Sequence, residues 1–325
     1  MGDLMDIEAA AALVKEGRRL AIGGAEALLR RLPEGSWIGG TIPYFMTRDG
    51  GCSTRDKVFV DELPDLEDVR LATYGADELD RLGSEAFEHG FTLIAVPAFS
   101  RVFKAFAMQA PTLTRPADSP LVGWVPGTHF DEAGFVSPKA FAGSGEAGSS
   151  DRLVALHARL PEGLRAVVET INLFQPGIGS TLRFPRDGFA QSEVEVDGES
   201  REFRAWLEAR GVDRRLPLLT TVDGERINSS FQELPPPGEP VRLHAPVFTG
   251  RDYRIAGRIG DYLEEFEAFE MPGDRRIIFC CNCVFNYLYA ELEGVKVPLT
   301  GVITFGEIAG VLHNQTLAYL ALTSA

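Results

Sequence analysis

Three apolar runs near the carboxyl terminus, each joined to a group of polar residues, limit most strongly what this chain can fold into. The first run leads into a Cys- and Asn-rich stretch at 280–286, the second ends at Gly306-Glu307, and the third follows a polar stretch at 313–316. Short apolar runs bounded by turn signals are typical of buried strands, and polar groups at strand ends often line small-molecule pockets. The pattern therefore predicts a binding site, and no known catalytic motif lies within it.

The composition limits the kinds of partner. The chain has 325 residues, of which 45% are hydrophobic and 24% charged, an ordinary balance for a globular protein with ample core. Its net charge of −15 argues against nucleic acid or an anionic membrane surface, because both bind basic surfaces. We therefore expect neither nucleic acid nor a membrane as a partner.

The start of the chain and its cysteines predict a cytoplasmic location. Residues 1–6 lack the basic start and apolar core of a signal peptide, and no apolar stretch approaches the ~18 residues of a membrane span. Three of the four cysteines are crowded at 280–283, and adjacent cysteines on a strand point to opposite faces and rarely pair. Reduced thiols in a cytoplasmic chain are the simpler interpretation.

The spacing of apolar residues predicts an α/β fold of two related modules, with mixed β-sheets flanked by helices. Residues 7–31 have helical spacing, divided into two helices by Gly23-Gly24. Residues 91–99 predict a strand, and a helix is expected at 101–108.

A Pro-, Gly- and Ser-rich stretch at 111–150 predicts the connection between the modules. We therefore expect one module at 1–150 and the other at 151–325. The strand and helix at 91–108 parallel those at 276–291, which is weak support for regarding the modules as related.

The cysteine-rich stretch 280–286 admits two interpretations. A zinc site would require Cys-x-x-Cys spacing and a second ligand pair, and the sequence contains no matching pair. Buried packing, with Asn282 or Asn286 capping the following helix, is favoured because free cysteine is among the most buried residue types.

Two other polar groups near the carboxyl terminus have open interpretations. Glu307 predicts either a ligand anchor or general acid/base, or a turn residue that is exposed or accepts hydrogen bonds from backbone N–H groups of the following turn. If the stretch 313–316 is a strand, His313 and Gln315 face one side and Asn314 and Thr316 the other, so that one pair lines a pocket. Alternatively these side chains tie down loop backbone.

Cys52 is a candidate nucleophile in a polar loop at 49–56. A nucleophilic cysteine requires a nearby base, and the spacing of the five histidines selects none of them. An inert loop cysteine is therefore the favoured interpretation.

The carboxyl-terminal half resembles the FIST family, a bacterial ligand-sensing module with amino- and carboxyl-terminal parts. The resemblance lies in three motifs, at Ile277–Asn286, Gly301–Ile308 and His313–Thr316, and extends over about residues 190–325. In the first half, only Trp37–Ile42 is similar to a strand of the family's amino-terminal part. The resemblance assigns an amino-terminal part to the first module and a carboxyl-terminal part to the second.

The resemblance implies a stand-alone, non-enzymatic sensor that binds a small metabolite and acts through a separate signalling protein. One branch of the family binds haem, for which His313, Cys281 and Cys283 are candidate ligands, but no cofactor is assigned here. The alternative is a hydrolase or isomerase that uses Cys52 or Glu307. The expected pocket residues are Thr41, Tyr44, Cys281, Asn286, Glu307, His313 and Asn314.

Overall fold

The structure is a computed structural model, and it describes residues 2–232, 234–267 and 275–324. Strands hold 40% of the residues and helices 17%, so sheets dominate the architecture. The strands of the first 171 residues are β1 (Asp3–Met5), β2 (Leu20–Gly24), β3 (Trp37–Thr41), β4 (Tyr44–Thr47), β5 (Gly50–Ser53), β6 (Val58–Glu62), β7 (Asp68–Tyr74), β8 (Gly90–Ala95), β9 (Leu121–Trp124), β10 (Ala140–Ala142), β11 (Leu153–Arg159) and β12 (Leu164–Ile171).

The later strands and the helices complete the set of elements. The strands are β13 (Leu182–Arg183), β14 (Gly188–Gln191), β15 (Glu193–Val196), β16 (Glu199–Glu202), β17 (Leu218–Val222), β18 (Glu225–Ser229), β19 (Val241–Val247), β20 (Arg254–Ile255), β21 (Arg276–Cys283), β22 (Gly301–Thr304), β23 (Glu307–Ala309), β24 (Val311–His313) and β25 (Leu317–Ser324). The helices are α1 (Ile7–Lys15), α2 (Glu26–Leu29), α3 (Asp80–Ser84), α4 (Arg101–Gln109), α5 (Phe203–Ala209), α6 (Tyr262–Glu267) and α7 (Val284–Tyr289), with 3-10 turns at Ala110–Thr112 and Phe130–Glu132. Among the residues described, no helix is both long and apolar enough to cross a membrane.

The chain forms two compact units whose bounds differ from the expected modules at 1–150 and 151–325. Within the described residues, unit 1 comprises 2–171, 275–312 and 317–324, and unit 2 comprises 172–267 and 313–316. The difference has a simple cause, because strands from the last fifty residues pair with strands of the first half. For example, β22 pairs with β4, and β23 pairs with β9.

Three sheets make up the described part of unit 1. Their strand orders are β1-β6-β2-β3-β10, β24-β23-β9-β8-β11-β7 and β12-β25-β21-β22-β4-β5. Each sheet contains a parallel pair, namely β2 with β3, β8 with β9, and β21 with β22. The predicted α/β class with mixed sheets and flanking helices is confirmed.

The helical prediction for residues 7–31 is wrong in its middle part. Helix α1 ends at Lys15, and residues Leu20–Gly24 form the fully buried strand β2. A strand buried on both faces is a continuous apolar run without alternation, so its spacing does not distinguish it from a buried helix. Gly23 does not divide two helices but lets the backbone of β2 pack closely against Val302. A Cβ on Gly23 would lie 2.5 Å from Val302 Cγ1.

The predicted strand and helix after residue 90 are confirmed as β8 and α4. Ser100 caps the helix, since its hydroxyl accepts a hydrogen bond from the Phe103 backbone N–H at 3.0 Å. Such a cap stabilises a helix by about 1 kcal/mol. The apolar side of α4, which includes Val102 and Phe106, is buried.

The second carboxyl-terminal run is divided between two sheets. Strand β22 ends at Thr304, and after Phe305-Gly306 the chain enters β23, which belongs to a different sheet. The backbone remains hydrogen bonded across this passage, because Phe305 N donates to Val125 O and Val125 N donates to Gly306 O. The third run follows the turn at 314–316 and forms β25, which lies between β12 and β21.

Unit 2 has its own core and small antiparallel sheets. Its described strands form the sheets β13-β15-β16, β14-β19 and β18-β17-β20. The Phe184 ring meets the rings of Phe203 and Tyr253 edge to face, with centroids 5.3 Å apart in each pair. Such pairs add to the stability gained from burial.

Candidate functional site

The carboxyl ends of two parallel strand pairs meet in unit 1. Ala95 at the end of β8 lies beside Trp124 at the end of β9, and Cys283 of β21 lies beside Thr304 of β22. Glu307 is opposite Trp124 in the register of β23 and β9, so the short passage from Thr304 to Glu307 joins the two sets of strand ends. Ligands of α/β proteins commonly bind outside the carboxyl ends of parallel strands.

Glu307 is fully buried at this edge. Its relative exposure is 0%, which rules out the interpretation as an exposed turn residue. The Thr304 hydroxyl lies 3.1 Å from Glu307 Oε1 and 3.3 Å from the Asn282 carbonyl oxygen. A hydroxyl has one proton, so it donates to one of these acceptors at a time. The carboxyl group is thus held by a neighbouring strand end in a buried site.

Two asparagines extend this buried group of polar side chains. Asn286 Nδ2 donates to Asn282 Oδ1 at 2.9 Å, and both residues are buried. The expectation that one of them caps α7 is wrong, because Cys283 occupies the N-cap position. Asn286 instead lies in the first turn of α7 and faces back to the end of β21. We call Asn282, Asn286, Thr304 and Glu307 the polar cluster.

The cysteines of β21 serve packing, as the favoured interpretation predicted. Cys280, Cys281 and Cys283 are buried free thiols, and Cys281 Sγ donates to the Gly123 carbonyl oxygen at 3.5 Å. Burial, and next the charge of Glu307, raise the pKa of Cys281 well above its usual value, so this thiol stays protonated. Among the described residues, no group of three or more His, Cys, Asp or Glu side chains is arranged to hold a metal ion.

Thr41 and Tyr44 hold the segment that follows β9. Thr41 Oγ1 accepts a hydrogen bond from Lys139 N at 2.9 Å, and the Tyr44 hydroxyl oxygen accepts one from Phe130 N at 3.1 Å. The Tyr44 ring stacks on His129 with centroids 5.4 Å apart and lies 5.7 Å from the Tyr287 ring of α7. Tyr44 thereby links this segment to the helix that carries Asn286.

His313 and Asn314 belong to unit 2. Asn314 Oδ1 accepts a hydrogen bond from Ser230 N at 3.3 Å, and Gln315 Nε2 donates to the Arg215 carbonyl oxygen at 2.8 Å. These bonds agree with the alternative in which the stretch ties down loop backbone. The other alternative, strand alternation over 313–316, does not hold, because β24 ends at His313 and Gln315 has a φ of 52°.

The sequence did not single out the aromatic side chains at this edge. The Phe305 ring lies 6.2 Å from that of Phe99 and stacks on that of Phe130 at 5.8 Å. We call these three residues the aromatic patch. Trp124 was also missed; it is buried, and among the residues that the structure describes its indole Nε1 has no hydrogen-bond partner. With 21 phenylalanines in the chain, composition does not distinguish these three from core residues.

Replacing Gly127 by alanine is expected to destabilise the protein by about 2 kcal/mol. A Cβ at this position would lie 2.2 Å from Phe305 Cδ1, so the ring would have to move from its place against Phe130. Urea denaturation measures the change. Gly179→Ala is the matched control, since a Cβ there meets nothing within 4 Å. Equal denaturation midpoints for the two variants would contradict the prediction.

Cys52 has the wrong electrostatic surroundings for a nucleophile. Its thiol is partly buried, and burial together with the charge of Glu293 raises its pKa. A thiolate is the reactive form, so a raised pKa lowers reactivity at neutral pH. This finding weighs against the hydrolase or isomerase alternative based on Cys52.

The fold and the site define the class of this protein. It is a mixed α/β protein with a polar cluster where strand ends converge. The chain belongs to DUF6976, a family of unknown function whose model matches residues 5–323. No curated protein matches the sequence. The match covers residues of both compact units.

Proposed function

We propose that this chain is a small-molecule-binding sensory protein whose ligand site is the polar cluster of unit 1. The observation that carries the proposal is the fully buried Glu307, held beside Thr304 where the carboxyl ends of two parallel strand pairs meet. Burying an ionisable group costs free energy, so such groups concentrate where function requires them. A few polar groups within apolar surroundings are typical of small-molecule sites.

The chemistry of the polar cluster favours a ligand that carries an amine or another hydrogen-bond donor. Glu307 accepts hydrogen bonds and, when ionised, attracts a cation. Asn282 and Asn286 supply amide donors and acceptors that orient the ligand. The net charge of −15 also favours the approach of cations.

Entry of the ligand requires a movement at this edge. Because Glu307 has no exposed surface, we expect binding to displace the neighbouring passage at Phe305-Gly306. Such a movement is a suitable signal for a sensor, since ligand binding would change the surface beside the site.

The sensory part of the proposal rests on the resemblance to the FIST family in residues 190–325. It implies a cytoplasmic protein that reports its ligand to a separate signalling protein. The raised pKa of Cys52 supports binding rather than thiol catalysis.

Replacing Glu307 by glutamine is expected to weaken ligand binding at least about tenfold, because a hydrogen bond to a charged group contributes about 1.5–3 kcal/mol. Thermal-shift screening with amino acids, simple amines, short carboxylic acids and hemin identifies the ligand, and calorimetry gives its Kd. Glu16→Gln, at an exposed carboxylate of α1's carboxyl end, is the control. The proposal fails if none of these compounds raises the Tm, or if a ligand binds Glu307→Gln and the parent protein equally.

A further inference from the structure

The aromatic patch is built from three loops that each follow the carboxyl end of a strand. Phe99 follows β8, Phe130 follows β9, and Phe305 follows β22 directly. Phe99 is 58% exposed and Phe130 is 37% exposed, although large aromatic side chains gain most from burial. The rings of Phe130 and Phe305 are inclined by only 18° and their centroids lie 5.8 Å apart, so the two rings are nearly parallel and in contact.

Phe99 also has an unfavourable backbone conformation. Its φ of 64° lies in the left-handed region, which is uncommon for a bulky residue and disfavoured by contact of Cβ with the backbone. Residues held in this way persist where the surroundings fix them, and they cluster at ligand sites. An exposed side chain on a strained backbone contributes little to the stability of the fold. We therefore expect the Phe99 ring to serve in contact with another molecule.

We propose that the aromatic patch binds the flat aromatic part of a small-molecule ligand, an inference that rests on the function proposed above and adds the class of ligand. Aromatic rings stack favourably with centroids about 4.5–7 Å apart, and Phe99 and Phe130 have exposed surface on which a further ring can lie. Phe305 adjoins Thr304, whose hydroxyl contacts Glu307.

The short stretch of chain between Phe305 and Glu307 suggests the size of the ligand. Phe305 and Glu307 are two residues apart, so their Cα atoms lie within about 7 Å of each other. An aromatic ring joined to an amine by a two-carbon chain has a similar reach. The ligand class is therefore an arylalkylamine, with the ring on the aromatic patch and the amine at Glu307.

A small molecule fits the aromatic patch better than a second copy of the chain. The exposed fractions of Phe99 and Phe130 amount to roughly 200 Å² of surface, if a whole ring presents about 150–250 Å². A stable protein interface buries about 800 Å² on each partner. In addition, two chains of net charge −15 repel each other.

The test uses phenethylamine and its saturated analogue 2-cyclohexylethylamine as probes, with Kd measured by calorimetry on the full chain. Phenethylamine is expected to bind about threefold to tenfold more tightly than the saturated amine, because ring stacking adds to area burial. Phe99→Gly and Phe130→Ala should each weaken phenethylamine binding about tenfold. Phe135→Ala is the matched control, because Phe135 is 90% exposed in the same loop as Phe130 and should leave Kd unchanged.

Stability measurements separate a lost subsite from a damaged fold. In Phe99→Gly the relief of the left-handed backbone strain stabilises the protein, whereas the loss of the contact with Phe305 destabilises it. The two effects offset each other, so the Tm should stay within about 3 °C of the parent. Retained Tm with weakened binding supports the inference.

Three outcomes would overturn it. Binding that depends on Glu307 but is unchanged in Phe99→Gly and Phe130→Ala, or equal for both amines, removes the aromatic subsite and leaves the proposed function standing. If neither amine binds, the inferred ligand class is wrong, and if no other compound binds either, the proposed function fails as well. A dimer that dissociates on Phe99→Gly in sedimentation velocity would identify the aromatic patch as a self-association surface.

Discussion

Replacing Asp61 by asparagine is expected to stabilise the protein by about 4 kcal/mol at pH 8 and by less than about 1 kcal/mol at pH 4. Asp61 lies in β6 with a relative exposure of 2%, and one of its oxygens accepts a hydrogen bond from Gly2 N at 2.7 Å. Burial raises the pKa of Asp61 from 3.8 to about 7. Asparagine keeps the acceptor oxygen and never ionises.

The sign follows from proton binding. Between pH 3.8 and about 7 the folded protein keeps the Asp61 proton while the unfolded chain loses it, so stability falls as pH rises through this range. Each pKa unit corresponds to about 1.4 kcal/mol, which gives the expected total. The asparagine variant lacks this loss, and its advantage therefore grows with pH.

Urea denaturation at intervals from pH 4 to pH 8 measures the effect. Asp56→Asn, at an exposed position of the same unit, is the matched control and should differ little from the parent at every pH. An Asp61→Asn advantage that is the same at pH 4 and pH 8 would show that the carboxyl group is not the cause.

Acid is expected to remove about 3 kcal/mol of stability between pH 6.5 and pH 4 through His157, and this loss should be absent in His157→Gln. His157 has no exposed surface, and burial, followed by the charge of Arg70, lowers its pKa from 6.5 to about 4. In this range the unfolded chain gains a proton that the folded protein does not, so stability falls as pH falls.

The surroundings of His157 fix its neutral form. Tyr74 donates to Glu85 Oε2 at 2.8 Å, and this bond lowers the pKa of Glu85. The Tyr74 oxygen lies 2.8 Å from His157 Nε2, and Thr92 Oγ1 lies 3.0 Å from His157 Nδ1. Because the Tyr74 proton is used toward Glu85, Nε2 must carry the histidine proton, and Nδ1 accepts from Thr92. Each of these hydrogen-bonding groups thus has a partner while the His157 ring is neutral.

The slope of stability against pH is the measurement, because His157→Gln also alters the hydrogen-bond chain and lowers stability at all pH values. His89→Gln is the control for replacing a histidine by glutamine, since His89 is partly exposed and lies just before β8. Within unit 1, Asp61 and His157 change the stability in opposite directions between pH 4 and 6.5. The two effects therefore offset each other in the parent protein. A parent-like slope in His157→Gln would refute the prediction.

Helices and strands that are determined by the local pattern of apolar residues could be predicted from the sequence. Those that depend on pairing with strands far along the chain could not. The strand β21 with its buried cysteines, and the helix α7 that follows it, agree with what the apolar run and the usual burial of cysteine predict. The apolar run of β2 also fits a helix, because a strand buried on both faces has no alternation. The division of the second run at Phe305-Gly306 depends on β9, which is almost two hundred residues away, and no local signal shows it.

The candidate site was predictable in part for the same reason. Glu307 and Asn286 stay predicted site residues, and the sequence indicates them because polar residues at strand ends are visible in it. The hydroxyl of Thr304 was overlooked because it continues an apolar strand. Neither the exposure of Phe99 nor its left-handed backbone can be read from residue type, since phenylalanine normally indicates core.

The assembly of unit 1 from both ends of the chain has a consequence for its synthesis on the ribosome. Strands β22, β23 and β25 complete the edges of β4, β9 and β12, yet they are made last. At about 5–20 residues per second, the ribosome takes roughly 8–30 s to travel from residue 171 to residue 324. Throughout that interval the nascent chain presents open strand edges, which are the usual starting points of aggregation.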